Sequence, residues 1–89
     1  MNANTFKQMI LDLLDEKMTA NEFKTCYLEN FKKWNGVDVD EKSFELLNGV
    51  FESADCYYPD YEEPFEISEQ QLRLEVRDAF IKLNNIHKA

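Results

Sequence analysis

Residues 19–34 read TANEFKTCYLENFKKW, and this stretch carries the local signals of a complete helix. Thr19 and Glu22 match a capping box, in which the threonine hydroxyl accepts from a first-turn amide and the glutamate reaches back to the cap amide. Two lysines in the last turn complement the helix dipole, and Gly36 supplies a left-handed stop. The buried face is predicted from aromatic side chains that recur at helical spacing: Phe23, Tyr27, Phe31 and Trp34.

Three further apolar stripes with the same spacing flank this helix, one before it and two after it. The third helix is predicted to begin at a cap, Asp38 or Asp40, and to end by Pro59, because the residue before a proline resists the helical conformation. The fourth follows a second capping-box pattern at residues 68–71. The stripes consist of Phe6, Met9, Ile10, Leu13 and Leu14; of Phe44, Leu47, Phe51 and Ala54; and of Leu72, Val76, Phe80 and Leu83.

Length and composition favour one small α-helical domain. With 89 residues there is room for one modest core, and only two glycines and two prolines disfavour a fold with many strand turns. Helices joined by short connections pack as antiparallel neighbours. The prediction is therefore an all-α antiparallel four-helix bundle that forms a single domain over residues 1–89. The longest connection, residues 59–67, contains two prolines and is predicted to be a loop.

The net charge of −8 limits the classes of partner. Nucleic acid and anionic membranes both require a cationic surface, so neither is expected to bind directly. No apolar run is long enough for a membrane span, and the first residues lack the basic and apolar regions of a signal peptide. We therefore expect a cytoplasmic protein without a membrane partner.

The residue pattern does not predict catalysis, a metal site or a cofactor. His87 is the only histidine and is two residues from the end of the sequence, where a solvated side chain is expected. Cys26 and Cys56 match no zinc spacing and are expected to be reduced. Asp38 and Asp40 faintly resemble a calcium loop but lack its third acid and its glycine. An acyl carrier protein needs an Asp-Ser pair, which is absent.

One segment carries the whole charge imbalance. Thirty residues between Lys42 and Arg73 contain no Lys, Arg or His and eight acids. An acidic run usually serves solubility, but this one is of a single sign and has tyrosines beside its acids, which suits a protein interface. Pro59 and Pro64 would lower the entropy lost on binding. The acids are Glu45, Glu52, Asp55, Asp60, Glu62, Glu63, Glu66 and Glu69.

Four short motifs, in order along the chain, resemble a known family. Thr19–Phe23 is similar to the start of its second helix, Gly36-Val37 to the end of that helix, and Leu72–Arg77 to the start of its last helix. Pro59-Asp60, with Asp55 four residues before the proline, resembles its acidic centre. The chain thus resembles the colicin D immunity protein family, which includes immunity proteins of contact-dependent growth inhibition systems. The resemblance extends over most of the chain.

The resemblance implies a four-helix bundle that binds, one to one, the basic C-terminal domain of a cognate tRNA-cleaving toxin. Family members block the toxin's active site with acids that stand where tRNA phosphates would bind. Asp55 and Asp60 match the inhibitory acids, whereas Tyr58 stands where the family has an acid. Glu52, Glu66 and Glu69 are expected at the rim. The predicted toxin-binding residues are Asp55, Tyr57, Tyr58, Asp60, Tyr61, Glu62 and Glu63, with the tyrosines as packing anchors.

Two other functions are weighed against this one. An acidic helical interaction module, such as a nucleic-acid mimic or an adaptor for another basic protein, would share the charge pattern. The position of the gene separates the two, since an immunity gene should lie directly downstream of a toxin gene. A small enzyme is not expected, because no motif holds two catalytic groups together.

Overall fold

The residues that the structure describes form four helices in chain order, as predicted. The computed structural model describes residues 3–34, 39–60, 64 and 66–86. Within these residues the only β-type pairing is an isolated parallel bridge between Tyr57 and Ile67. The helices are α1 (Ala3–Leu14), α2 (Ala20–Lys33), α3 (Glu41–Cys56) and α4 (Glu69–Ile86).

The predicted capping box at the start of α2 is confirmed. Thr19 Oγ1 accepts from the Glu22 amide at 3.1 Å, and Glu22 Oε1 accepts from the Thr19 amide at 2.9 Å. The hydrogen bond from the Thr19 amide lowers the pKa of the Glu22 carboxyl. Two of the amide donors left unpaired at the beginning of the helix are therefore satisfied locally.

The starts of α3 and α4 are also capped, and the choice between two caps for α3 is resolved. Asp40 caps α3, with its Oδ2 accepting from the Ser43 amide at 3.0 Å, whereas the alternative cap, Asp38, lies outside the described residues. At the start of α4, Ser68 Oγ accepts from the Gln71 amide at 3.2 Å. This is the serine half of the predicted capping box at residues 68–71. The Gln71 side chain donates onward to Glu75 Oε2, and its bond back to the Ser68 amide is not formed among the described residues.

Helix ends were predicted less well than helix beginnings. α2 ends at Lys33, and Trp34 has extended backbone (φ −87°, ψ 136°). The predicted stop at Gly36 lies outside the described residues. α3 ends at Cys56, three residues before Pro59, because Tyr57 leaves the helix to pair with Ile67.

The end of α1 is closed by a left-handed residue that is not glycine. Glu16 has φ 61°, its amide donates to Leu13 O at 3.2 Å, and the Lys17 amide donates to Asp12 O at 2.8 Å. These two bonds form a Schellman motif, in which glycine is the usual left-handed residue. The motif turns the chain sharply toward α2.

Contacts between helix ends show that neighbouring helices run antiparallel. Phe6 at the beginning of α1 packs against Trp34 after the end of α2, with ring centroids 4.8 Å apart. Phe31 near the end of α2 packs against Phe44 near the beginning of α3 at 5.9 Å. Arg73, in the second turn of α4, donates to the carbonyl of Leu13 at the end of α1. The helices therefore alternate in direction, and α4 returns to α1, which confirms the predicted bundle.

The core consists of the predicted stripes with a few additions. Met9, Leu14, Trp34, Phe44, Phe51 and Phe80 of those stripes pack against the core while partly exposed. Tyr27 is fully buried, and its hydroxyl donates to the Leu47 carbonyl of α3 at 2.8 Å. This bond satisfies the phenol where water cannot reach it. The buried apolar residues are Phe6, Ile10, Leu13, Ala20, Phe23, Tyr27, Phe31, Leu47, Val50, Ala54, Tyr57, Leu72, Val76, Ala79 and Leu83.

The buried phenol makes the fold sensitive to alkali. Burial raises the pKa of Tyr27 well above its ordinary value, so its hydroxyl ionises only after unfolding. Its contribution to stability is complete below the unfolded pKa of about 10, and above that it should fall by about 1.4 kcal/mol per pH unit. We expect Tyr27→Phe to lose about 1 kcal/mol at neutral pH, from the missing hydrogen bond, but to reduce this alkaline loss.

Urea unfolding followed by circular dichroism from pH 7 to pH 11 would measure both effects. Tyr58→Phe is a suitable control, because it removes the same hydroxyl from an exposed ring. The control should retain the alkaline loss of the parent protein. If the slope above pH 10 is the same in Tyr27→Phe and in the parent, the buried phenol is not its source.

Candidate functional site

The acidic residues matched by the family motif lie at the C-terminal end of α3 and just beyond it. Asp55 is in the last turn of the helix, and Asp60 follows in the turn after it; both are exposed. Between them Tyr58 exposes 41% of its surface, which is unusual for a large ring. We call residues 55–60 the acidic end of the bundle.

The two carboxylates of the acidic end are available to a partner. Within the described part of the chain, Asp55 and Asp60 have no ion-pair or hydrogen-bond partner. Their charges are therefore not neutralised by an ion pair inside the described bundle. A cationic partner would be able to pair with both carboxylates without first breaking an ion pair there.

The other predicted contact residues divide into two groups. Tyr61, Glu62 and Glu63 lie outside the described residues, so their roles stay predictions. Tyr57 does not present a ring to a partner in this structure, since only 5% of its surface is exposed and it belongs to the core. We therefore correct its role from interface anchor to packing residue.

The surroundings of Tyr57 explain its inward position. It follows the end of α3, three residues after the buried Ala54, and its bridge to Ile67 draws the chain toward α4. Burial raises the pKa of the Tyr57 phenol, the charge of Glu69 raises it further, and Arg73 opposes both. The ring thus fills the space where α3 ends and α4 begins.

Lys24 is a cation at the acidic end that the sequence analysis missed. Its Nζ donates to the Tyr57 carbonyl at 2.6 Å and lies 3.7 Å from the centroid of the Tyr58 ring. Because α2 and α3 are antiparallel, the beginning of α2 lies beside the end of α3. The stretch without positive charge in sequence therefore has a lysine beside it in space.

The remaining acids of the segment have different surroundings. Glu69 pairs with Arg73 one turn later, at 3.0 Å, and Glu45 and Glu52 are exposed on α3. Outside the segment, Glu75 accepts from the Ser53 hydroxyl at 2.6 Å. Asp55 and Asp60 thus differ from the paired Glu69, and they differ from Glu45 and Glu52 in lying on either side of the exposed Tyr58.

The described residues offer little for other kinds of site. They contain no group of three or more His, Cys, Asp or Glu side chains arranged to hold a metal ion. Cys26 and Cys56 are free thiols that are partly buried. An open groove between α1 and α4 is lined by residues that include Leu74 and Ile81, which are 55% and 48% exposed. None of residues 55–60 lines it.

A comparison with protein families shows the family of the chain. A family described as bacterial self-protective colicin-like immunity matches residues 1–83. The chain belongs to this colicin-like immunity family. The match includes all of α1 to α3, the acidic end and most of α4. Neither the curated proteins nor the solved structures include a significant match.

Membership of this family indicates the general function of the protein. The family protects a bacterium from a colicin-like toxin, which implies that the chain binds and neutralises a cognate toxin. It is a family of immunity proteins and not of enzymes. Across the described residues, no helix is both long enough and apolar enough to cross a membrane.

Proposed function

We propose that this immunity protein neutralises a tRNA-cleaving toxin by placing its acidic end in the toxin's active site. The observation that carries the proposal is the pair of exposed carboxylates, Asp55 and Asp60, which lack partners within the described chain and flank an exposed Tyr58. The toxin is a basic ribonuclease domain, bound one to one. Its delivery by a colicin or by contact-dependent inhibition is compatible with the same contact.

The chemistry of tRNA cleavage explains why carboxylates would inhibit it. A tRNase presents Lys and Arg side chains to phosphates that surround the scissile bond. Carboxylates at matching positions can pair with those cations and offer no bond to cleave. Opposite charge accelerates association, and pairs that become desolvated in the complex slow dissociation.

The location of Asp55 supports a functional reason for its charge. The last turn of α3 contains no basic residue, and the C-terminal end of a helix carries partial negative charge. An acid there costs about 0.3–1 kcal/mol of stability in typical cases. Solubility alone would be served equally well by an acid elsewhere on the surface, so a binding role accounts better for this placement.

Each contact has an expected role. Asp55 and Asp60 pair with toxin cations, together with Glu62 and Glu63, and Tyr58 and Tyr61 provide flat packing area. Glu52, Glu66 and Glu69 lie toward the rim, where exposed pairs contribute little. Toxin–immunity pairs are among the tightest protein complexes, so we expect a Kd of about 1 nM or lower.

The test uses the toxin domain encoded beside the immunity gene. The tagged immunity protein should capture this domain from solution at equal stoichiometry. Added at increasing ratios to a tRNA-cleavage assay, it should abolish cleavage at about one molecule per toxin. The association rate should fall as salt is raised from about 50 to 500 mM, because salt screens the steering charge.

The possible outcomes separate the parts of the proposal. Capture and inhibition of a toxin that cleaves something other than tRNA would overturn the substrate class and leave the family role intact. If the toxin is inhibited but a small active-site ligand still binds to it in the complex, the active site is not blocked. That result would overturn the proposed occlusion.

A further inference from the structure

Lys24 joins α2 to the acidic end through two contacts at once. Its Nζ donates to the Tyr57 carbonyl at 2.6 Å and lies over the Tyr58 ring at 3.7 Å from the centroid. An ammonium group this close to a ring face gains a cation–π attraction. The same side chain therefore fixes the backbone of one residue and the side chain of the next.

The carbonyl that Lys24 contacts is a helix-end group in need of a donor. The last carbonyls of a helix have no partner within it, and α3 has no basic residue in its last turn. The end of α1 is completed in a similar way, since it also lacks a basic last turn and Arg73 of α4 donates to its Leu13 carbonyl. In both cases a neighbouring helix supplies the positive charge.

The peptide group between Tyr57 and Tyr58 is also held from its amide side. The Tyr58 amide donates to Ile67 O at 3.3 Å, and the Ile67 amide donates to Cys56 O at 2.8 Å. Lys24 therefore binds the carbonyl of the Tyr57–Tyr58 peptide group, and Ile67 binds its amide, just before Pro59. Asp60 follows directly, so its position depends on how firmly Tyr58 is held.

We propose that Lys24 is a positioning residue that holds residues 57–60 in the arrangement that binds the toxin. This inference rests on the proposed function, because it concerns the same surface. A positioned segment loses less entropy when the complex forms than a loose one does. Lys24 acts through Tyr57 and Tyr58, and it does not need to touch the toxin.

Charge alone predicts the opposite effect, which makes the inference testable. The chain has a net charge of −8, so removing any lysine makes it more acidic and should favour a basic partner. If positioning dominates, removing Lys24 weakens binding in spite of this gain. The sign of the effect therefore distinguishes the two explanations.

The experiment compares Lys24→Met with Lys33→Met, which makes the same charge change at an exposed position in the last turn of α2. The probe is the toxin domain encoded beside the gene, and binding is followed by surface plasmon resonance. We expect Lys24→Met to dissociate about tenfold faster or more. Lys33→Met should keep the parent dissociation rate, and Lys24→Arg should recover much of the loss, since arginine can donate and stack.

A measurement on the free protein tests the positioning without the toxin. Hydrogen exchange at the Tyr58 and Ile67 amides should become about tenfold faster in Lys24→Met. It should not change in Lys33→Met. Unchanged exchange at both amides in Lys24→Met would overturn the inference.

Binding outcomes separate this inference from the proposed function. If Lys24→Met binds the toxin as the parent does while Asp60→Ala loses affinity, positioning is wrong and the acidic contact stands. If both variants bind as the parent does, the acidic end is not the contact, and both proposals fail. A dissociation rate raised equally in Lys24→Met and Lys33→Met would also refute positioning.

Discussion

Replacing Asp60 with alanine should weaken inhibition of the cognate toxin by about 30-fold or more, because truncating one member of a desolvated charge pair costs about 2–5 kcal/mol. Asp60 is exposed and lies two residues after Tyr58, the last residue that Lys24 and Ile67 hold. Its carboxylate has no partner within the described chain. The loss in the complex is therefore not offset by repair of an internal contact.

Glu41→Ala is the matched control for this prediction. Glu41 is an exposed acid in the first turn of α3, at the opposite end of that helix from Asp55. The substitution removes the same charge, so it tests whether net charge or position decides inhibition. We expect a change of less than about threefold, mainly in the association rate, as for a charge outside the contact.

The measurement is a tRNA-cleavage titration at about 150 mM salt, with dissociation rates measured in parallel. Circular dichroism should show that both variants keep the helical content of the parent. Equal effects of Asp60→Ala and Glu41→Ala would mean that the acidic end works only through the overall field of the protein. The assignment of Asp60 to the contact would then be withdrawn.

A double substitution adds information about Asp55. If both carboxylates meet the same toxin cation, Asp55→Ala should cost less in the absence of Asp60 than in its presence. If they meet separate cations, the two losses should add within about 0.5 kcal/mol. Either result shows whether the two acids act on one toxin cation or on two.

The sequence predicted the helices well where their signals are local. The capping box of Thr19 and Glu22 requires only four consecutive residues, and it forms as expected. The apolar stripes depend on periodicity along one segment, and each stripe packs in or against the core. Signals of this kind lie within one segment of the sequence, so they do not depend on how the helices pack.

The features that were missed depend on contacts between helices. Lys24 is 33 residues from Tyr57 in sequence, and no periodicity connects them. The bundle topology could have indicated that the start of α2 lies beside the end of α3, but not that a lysine would donate to that carbonyl. The capping of α1 by Arg73 of α4 was unforeseen for the same reason.

Tyr57 was misassigned although a local signal existed. It follows Ala54 by three residues, and Val50 by seven, on the face of α3 that is buried. Tyr57 was predicted to act with Tyr58 and Tyr61 because all three are beside acids. Helical spacing is the stronger signal within one turn of a helix end, so it should have taken precedence over composition.

The largest effect on stability is expected at Phe6, where alanine should cost about 3–5 kcal/mol. Phe6 is fully buried, and its ring centroid lies 5.2 Å from that of Tyr27 and 5.5 Å from that of Phe31. Both neighbours belong to α2, so the substitution would leave a cavity along the packing of α1 against α2. Aromatic pairs of this kind add about 0.5–1.5 kcal/mol beyond area burial.

Urea unfolding followed by far-ultraviolet circular dichroism would measure this loss, with Ile81→Ala as the control. Ile81 is 48% exposed on α4, and a surface substitution should change stability by about 0.5 kcal/mol or less. Phe6→Leu keeps most of the volume and should cost less than Phe6→Ala. The free energy of unfolding of a domain is typically about 5–15 kcal/mol, so Phe6→Ala would remove a large part of it. A decrease of less than about 1 kcal/mol in the free energy of unfolding would mean that α1 contributes little to the core. A cavity of this size in a well-packed core costs more than that.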